Sequence, residues 1–318
     1  MVNDGRDLQW QGGSGPSNGD RGQLILVGAV VIAVALVGVV VVLNTVLFTE
    51  NVVQDGATAA ASDSLDVTLV VRDDLAPLVD GTNYNETYAN EGELETALDE
   101  SVHRYAALLG IAEAKRAPAT LTVDVRNATI GYAIVHDNRS TSFLGDDGRR
   151  NWTVARNADP RQYVLTVDPA NDTSASDGFR LSVTDGSDRW NLTTYRQDGN
   201  VSVRTNGTTV APSTCPDVTA GNLTIDLRSG TTTPGPCTFD YASGLVGPYD
   251  VSYVNGDNAT GTYSVVLNGT AATLPAVNTT ASVSPYRTFV AYEVEATFSY
   301  VTPDSTYRGR TNATLYEP

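Results

Sequence analysis

The chain has 318 residues and a formal net charge of −17 at pH 7, with 37 acidic against 20 basic residues, two cysteines and two histidines. That balance argues against nucleic acid as a partner, because no basic stripe is present to neutralise phosphates. Two cysteines cannot make a structural zinc site alone, and no nucleophile elbow, H-E-x-x-H, Walker or G-x-G-x-x-G pattern occurs, so no catalytic residue, cofactor or metal is assigned and the chain reads as a non-enzyme.

Residues 1–22 form a leader rich in Gly, Ser, Asn, Gln and Asp, a composition expected to be disordered. Residues 23–49 carry no charge, and Leu24 to Leu43 has the roughly 20 apolar residues that cross a ~30 Å hydrocarbon layer as a helix. This predicts a long transmembrane helix with the lipid bilayer as a partner. The two arginines nearest the stretch on its N-terminal side are Arg6 and Arg21, whereas the first charges after it are Glu50, Asp55, Asp63 and Asp66. The positive-inside rule therefore puts the leader in the cytoplasm and the C-terminal part outside.

Residues 50–118 read as a helical stalk and a packing helix. A stripe of Val53, Ala57, Ala60, Val67, Val71, Leu75 and Leu78 continues the helix outward, with an end expected near Pro77 to Gly81. A loop holding Asn83, Asn85 and Asn90 should follow. A second helix is predicted over Glu91 to Arg116, its apolar face made by Leu94, Leu98, Val102, Tyr105, Leu109 and Ala112. Acids in its first turn and Lys115 and Arg116 in its last suit the helix dipole, and Pro118 ends it.

Residues 119–318 are an extracytoplasmic β-rich domain by pattern. Nine short Thr-, Val- and Tyr-rich runs are separated by turn words such as Asp185-Gly186, Asn206-Gly207, Asn255-Gly256 and Asn268-Gly269. The expected fold class is α+β: a transmembrane helix, a short helical region, then an antiparallel all-β, sandwich-like part.

Cys215 and Cys237 lie 22 apart beside prolines. Outside the cell they would close a disulfide worth about 3 kcal/mol; otherwise they are two inert thiols. Asn-X-Ser/Thr acceptors occur at Asn85, Asn127, Asn138, Asn151, Asn171, Asn191, Asn200, Asn206, Asn222, Asn258, Asn268, Asn278 and Asn312, all after the uncharged stretch. Their one-sided placement points to glycosylation, against the plainer reading that Asn and Thr meet in β-turns. His103 falls on the second helix and reads as packed or solvated; His136 ends a strand. The acidic loops Asp80 to Glu86 and Asp168 to Asp177 lack calcium-loop spacing.

Of the 20 basic residues only Lys115 is lysine, an acid-rich bias that resembles salt-in haloarchaeal proteins. Asp20-Arg21-Gly22-Gln23, followed at once by the uncharged stretch and later by a β-rich part, resembles haloarchaeal type IV pilin-like proteins with a class III signal peptide. The resemblance implies cleavage by a prepilin-type peptidase between Gly22 and Gln23, so that Arg21, Gly22 and Gln23 form the processing site and the apolar helix is retained. It also implies assembly with like pilin-type subunits through that helix. The fifth mature position, Glu in many bacterial pilins, is Val27. The alternative is an uncleaved, membrane-anchored surface binding protein that forms no filament.

Overall fold

The computed structural model describes residues 56–115, 118–170, 173–218, 221–303 and 305–316, with side chains from Asp66 onward. The leader, the uncharged stretch, Arg21, Gly22, Gln23 and Asn171 lie outside these residues. The chain divides into two compact units, Met1–Asp63 and Ser64–Pro318, of which the second holds nearly all the described residues. It combines two helices with two antiparallel sheets, an α+β fold. Among the described residues, no helix is long and apolar enough to cross a membrane.

Helix α1 spans Gly56–Asn85 and helix α2 spans Glu91–Ala114. The expected end of α1 near Pro77 to Gly81 is corrected: the helix runs through Pro77 and takes in Asn83 and Asn85. Proline costs little here because Pro77 and Asp73, whose carbonyl loses its partner, are both exposed, so water can serve that carbonyl. Meanwhile Val67, Val71, Leu75 and Val79 carry one buried stripe across the break. Helix α2 is started by Asn90, whose side chain accepts from the Glu93 amide while Glu93 reaches back to the Ala89 amide. It buries Leu94, Leu98, Val102 and Ala106; Tyr105 and Leu109 are half-buried and Ala112 is exposed. The Tyr105 hydroxyl donates to Asp74 Oδ2 at 2.9 Å, linking the two helices.

The strands are β1 (Thr120–His136), β2 (Trp152–Ala158), β3 (Pro160–Pro169), β4 (Phe179–Thr184), β5 (Arg189–Gln197), β6 (Asn200–Gly207), β7 (Ser213–Thr214), β8 (Leu223–Asp226), β9 (Thr231–Thr233), β10 (Tyr249–Val254), β11 (Ala259–Leu267), β12 (Tyr286–Val301) and β13 (Thr306–Thr314). The first sheet has the order β13-β12-β1-β11-β3-β8-β9 and the second β2-β10-β4-β5-β6-β7. Strand β1 follows β12 over nearly its whole length, from Thr120↔Val301 to Val135↔Tyr286, but meets β11 only from Ala133 to His136. The helices share a hydrophobic core with the inner face of β1-β12-β13, where Leu121, Val123, Phe298 and Tyr300 lie.

Farther along, the two sheets share aromatic packing. Phe143, from the β1–β2 loop, sits among His136, Phe179, Tyr253 and Tyr263 with ring centroids 5.1–6.0 Å apart. Tyr163 of the first sheet donates its hydroxyl to Tyr253 of the second at 2.9 Å. One expected turn word behaves differently, and a pair that was not among them makes a turn instead. Asn206-Gly207 ends β6, with Gly207 paired to Trp190, while Asp198-Gly199, both at positive φ, turns the β5–β6 hairpin. Two consecutive left-handed residues match the right-handed twist of the flanking strands.

Candidate functional site

The sequons divide by exposure. Asn85, Asn127, Asn138, Asn151, Asn222, Asn268 and Asn312 are exposed; Asn200, Asn206, Asn258 and Asn278 are half-buried; Asn191, on β5, is 8% exposed. The amide nitrogen a glycan would need is engaged at Asn258 (to the Asp177 carbonyl, 2.6 Å), at Asn278 (to the Val283 and Pro285 carbonyls, 3.0 and 3.1 Å) and at Asn268 (to Asp159 Oδ2, 3.2 Å). Asn127 and Asn312 come together across three strands, both opposite Glu295 of β12. From Glu86 to Arg126 the chain carries no sequon.

Cys215 and Cys237 form a disulfide with Cα atoms 5.2 Å apart. Cys215 follows β7, the edge strand of the second sheet, and Cys237 lies beyond β9, the edge strand of the first, so the bond ties the sheets at one margin. Replacing both with serine is expected to cost about 3 kcal/mol, because the unfolded chain regains the entropy of the open loop. Denaturant midpoints of the two proteins check it; equal midpoints refute it.

The two helices, whose one sequon is Asn85, carry several exposed apolar side chains. Leu69 and Val70 on α1 and Leu108 and Ile111 on α2 are exposed, Leu108 by 64% and Ile111 by 58%. Because Tyr105 meets Asp74, Leu108 and Val70 stand about one turn further in the same direction on two antiparallel helices, and so lie level. Clustered apolar side chains on an otherwise charged surface mark contact sites more often than scattered ones do. His103, also on α2, is exposed between Asp99 and Asp124, at 3.2 and 3.3 Å. Its pKa is held up first by the Asp99 carbonyl and then by the Asp99 carboxylate.

A second feature is a polar cleft of about 510 Å³ between the β1–β2 loop and the loop leading into β12. His136 forms part of its lining, Asp137, Asn138, Thr141 and Asp146 come from one loop, and Ala281, Val283 and Ser284 from the other. Asp137 accepts from the Ser284 hydroxyl at 2.6 Å and from the Tyr286 hydroxyl at 3.4 Å, joining residues almost 150 positions apart. His136 is 1% exposed, stacked on Tyr263, and burial lowers its pKa. Ser284 is bonded to Asp137 directly, so these residues do not form a nucleophile-base-orienter relay. Nothing local in the sequence signals this grouping, since each half is an ordinary Ser/Asp/Asn loop.

Of the two acidic loops, Asp80 to Glu86 belongs largely to α1, and Asp80 accepts from the Tyr316 hydroxyl. Asp168 is paired with Arg196 at 2.6 Å, whose guanidinium also serves the Pro169, Gly199 and Gly221 carbonyls. Among the described residues, no group of three or more His, Cys, Asp or Glu is placed to hold a metal ion.

The sequence model of a family of unknown function (DUF7261) matches residues 18–129. That segment runs from just ahead of Arg21-Gly22, through the uncharged stretch and both helices, into β1. No curated protein and no solved structure matches the chain.

Proposed function

We propose that this chain is a single-pass, N-in/C-out envelope protein of the haloarchaeal type IV pilin-like kind, acting as a structural or surface-assembly subunit. The observation that carries the reading is the uncharged stretch of residues 23–49 placed directly behind Arg21-Gly22. A stretch of that length and polarity is an anchor, and cleavage before Gln23 would leave it at the mature N-terminus, available to bundle with like helices. Supporting it, the exposed apolar residues Leu69, Val70, Leu108 and Ile111 lie on the two helices, which hold one sequon, Asn85, whereas the β-rich part carries the other twelve. Glycans on a sandwich-like extracytoplasmic part would then face water while the helices, with Asn85 as their one acceptor, keep most of their surface for protein contacts.

N-terminal sequencing of membrane and sheared surface fractions tests this. The mature chain is expected to begin at Gln23, and Gly22→Val to leave Met1 in place and empty the sheared fraction. An intact Met1 in the unmodified protein would sink the reading. That result would favour an uncleaved surface binding protein, the second reading, for which the polar cleft is the supporting feature.

A further inference from the structure

The exposed faces of the two helices carry opposite charge. On α1, Asp66, Leu69, Val70 and Asp73 fall at three- and four-residue steps on the side away from buried Val67, Val71 and Leu75. On α2, Arg104, Leu108, Ile111 and the C-cap Lys115 do the same, away from Leu98, Val102 and Ala106. Arg72 touches Asp73 at 3.3 Å, but it stands about 200° round α1 from Asp74, which faces α2, and so lies on the outer flank. Glu113 is half-buried, and Glu100, one turn beyond Arg104, bounds the patch.

The bond from Tyr105 to Asp74 fixes the heights. Arg104 and Asp73 lie within about 3 Å of the same level; Lys115 and Asp66 lie about 15 and 12 Å further along the antiparallel pair. Each helix thus holds two apolar side chains between two charges, acidic on α1 and basic on α2, at matching levels.

Such a patch is complementary to itself. A two-fold axis parallel to the helices sets α1 against α2 of a second copy with heights unchanged. Asp73 then meets Arg104, and Asp66 meets Lys115, around the apolar side chains of both copies. A two-fold axis across the helices would set α1 against α1, with acids facing acids. Charge therefore selects the parallel axis. That axis also leaves the N-terminal ends of both α1 helices on one side, as two chains anchored in one bilayer through residues 23–49 require.

We infer that the α1–α2 face binds the same face of a second copy, forming a parallel two-fold dimer. Four apolar side chains per copy make a small contact, so confinement to a common membrane supplies the effective concentration at which it forms. The inference rests on the reading above for the shared membrane, and not for cleavage or a filament.

The test uses the full chain in membranes of cells that co-express two differently tagged copies, one with Leu69→Cys and the other with Ile111→Cys. Both positions lie on the outer flanks of their helices, so they oppose each other across the parallel axis. On oxidation with copper phenanthroline, a disulfide product carrying both tags is expected at least fivefold above either same-tag product. Arg104→Asp in both copies should lower it at least fivefold. Adding Asp73→Arg to both should restore it, which a merely structural loss would not allow. An excess of the same-tag Leu69→Cys product would show α1 against α1, and a product with another protein would show a different partner. Either of these, or no product at all, overturns the proposal. N-terminal sequencing of the same sample keeps the two readings apart. A two-tag product with Met1 intact leaves the dimer standing and the pilin-like reading fallen; a start at Gln23 without that product does the reverse.

Discussion

Raising the pH to about 11 is expected to remove about 4 kcal/mol of folding stability through Tyr163, Tyr253 and Tyr263 alone. All three are essentially buried, at 0–3% exposure, and burial pushes each phenol well above its ordinary value of 10.0. In the unfolded chain they ionise normally. Above pH 10 the unfolded state therefore gives up protons that the folded state keeps, and stability fully present below that pH is lost as pH rises. Each phenol contributes about 1.4 kcal/mol by pH 11, and the sum is a large share of the 5–15 kcal/mol that holds a typical domain together. Denaturant unfolding between about pH 9 and about pH 11 measures it, and a flat profile refutes it. Tyr263→Phe separates ionisation from packing, because its hydroxyl has no partner among the described residues. That variant should lose about a third of the alkaline dependence with little cost at neutral pH.

Asn83→Ala is expected to cost about 4 kcal/mol. Asn83, 3% exposed, donates through Nδ2 to the Ala291 carbonyl at 2.8 Å and accepts from the Ala291 amide at 2.9 Å. Strand β13 stops pairing with β12 at Thr314↔Glu293, so at Ala291 the side-chain amide stands where a further strand residue would be. Alanine would leave a buried N–H and a buried C=O unmet together, each costing about 1–3 kcal/mol. Amide hydrogen exchange at Ala291 should accelerate along with the loss of global stability. Unchanged protection there would show that water replaces the side chain. Asn83→Asp keeps the acceptor, removes the donor and buries a charge, and is expected to be at least as damaging.

Much of the secondary structure was legible because it rests on local periodicity. The apolar face of α2 and its Asn90 start are written at helical spacing, and strands such as β10 and β11 alternate visibly. Strands β2 and β13 were not legible. Strand β2 contains Arg156 and Asn157, the latter in a left-handed conformation, and β13 reads Tyr-Arg-Gly-Arg-Thr-Asn at a sheet edge. An edge strand tolerates charge and glycine because one margin faces water, so the usual alternation is diluted. Pro77 is a strong local stop signal that points to a loop at Asn83; the helix continues because its buried stripe joins the common core and Asn83 itself bonds Ala291, 208 residues away.

For the candidate sites the division is similar. Amino-acid order alone specifies the uncharged stretch behind Arg21-Gly22, the position of every sequon and the spacing of the cysteines, since each is a property of contiguous or countable residues. Only the tertiary structure decides which sequons present an accessible nitrogen, that the disulfide joins the margins of two sheets, and that His136, Asp137 and Ser284 share one cleft. Those facts depend on β1 pairing with β12 across more than 150 residues, and long-range register follows from the packing of whole faces, which no local run of sequence contains.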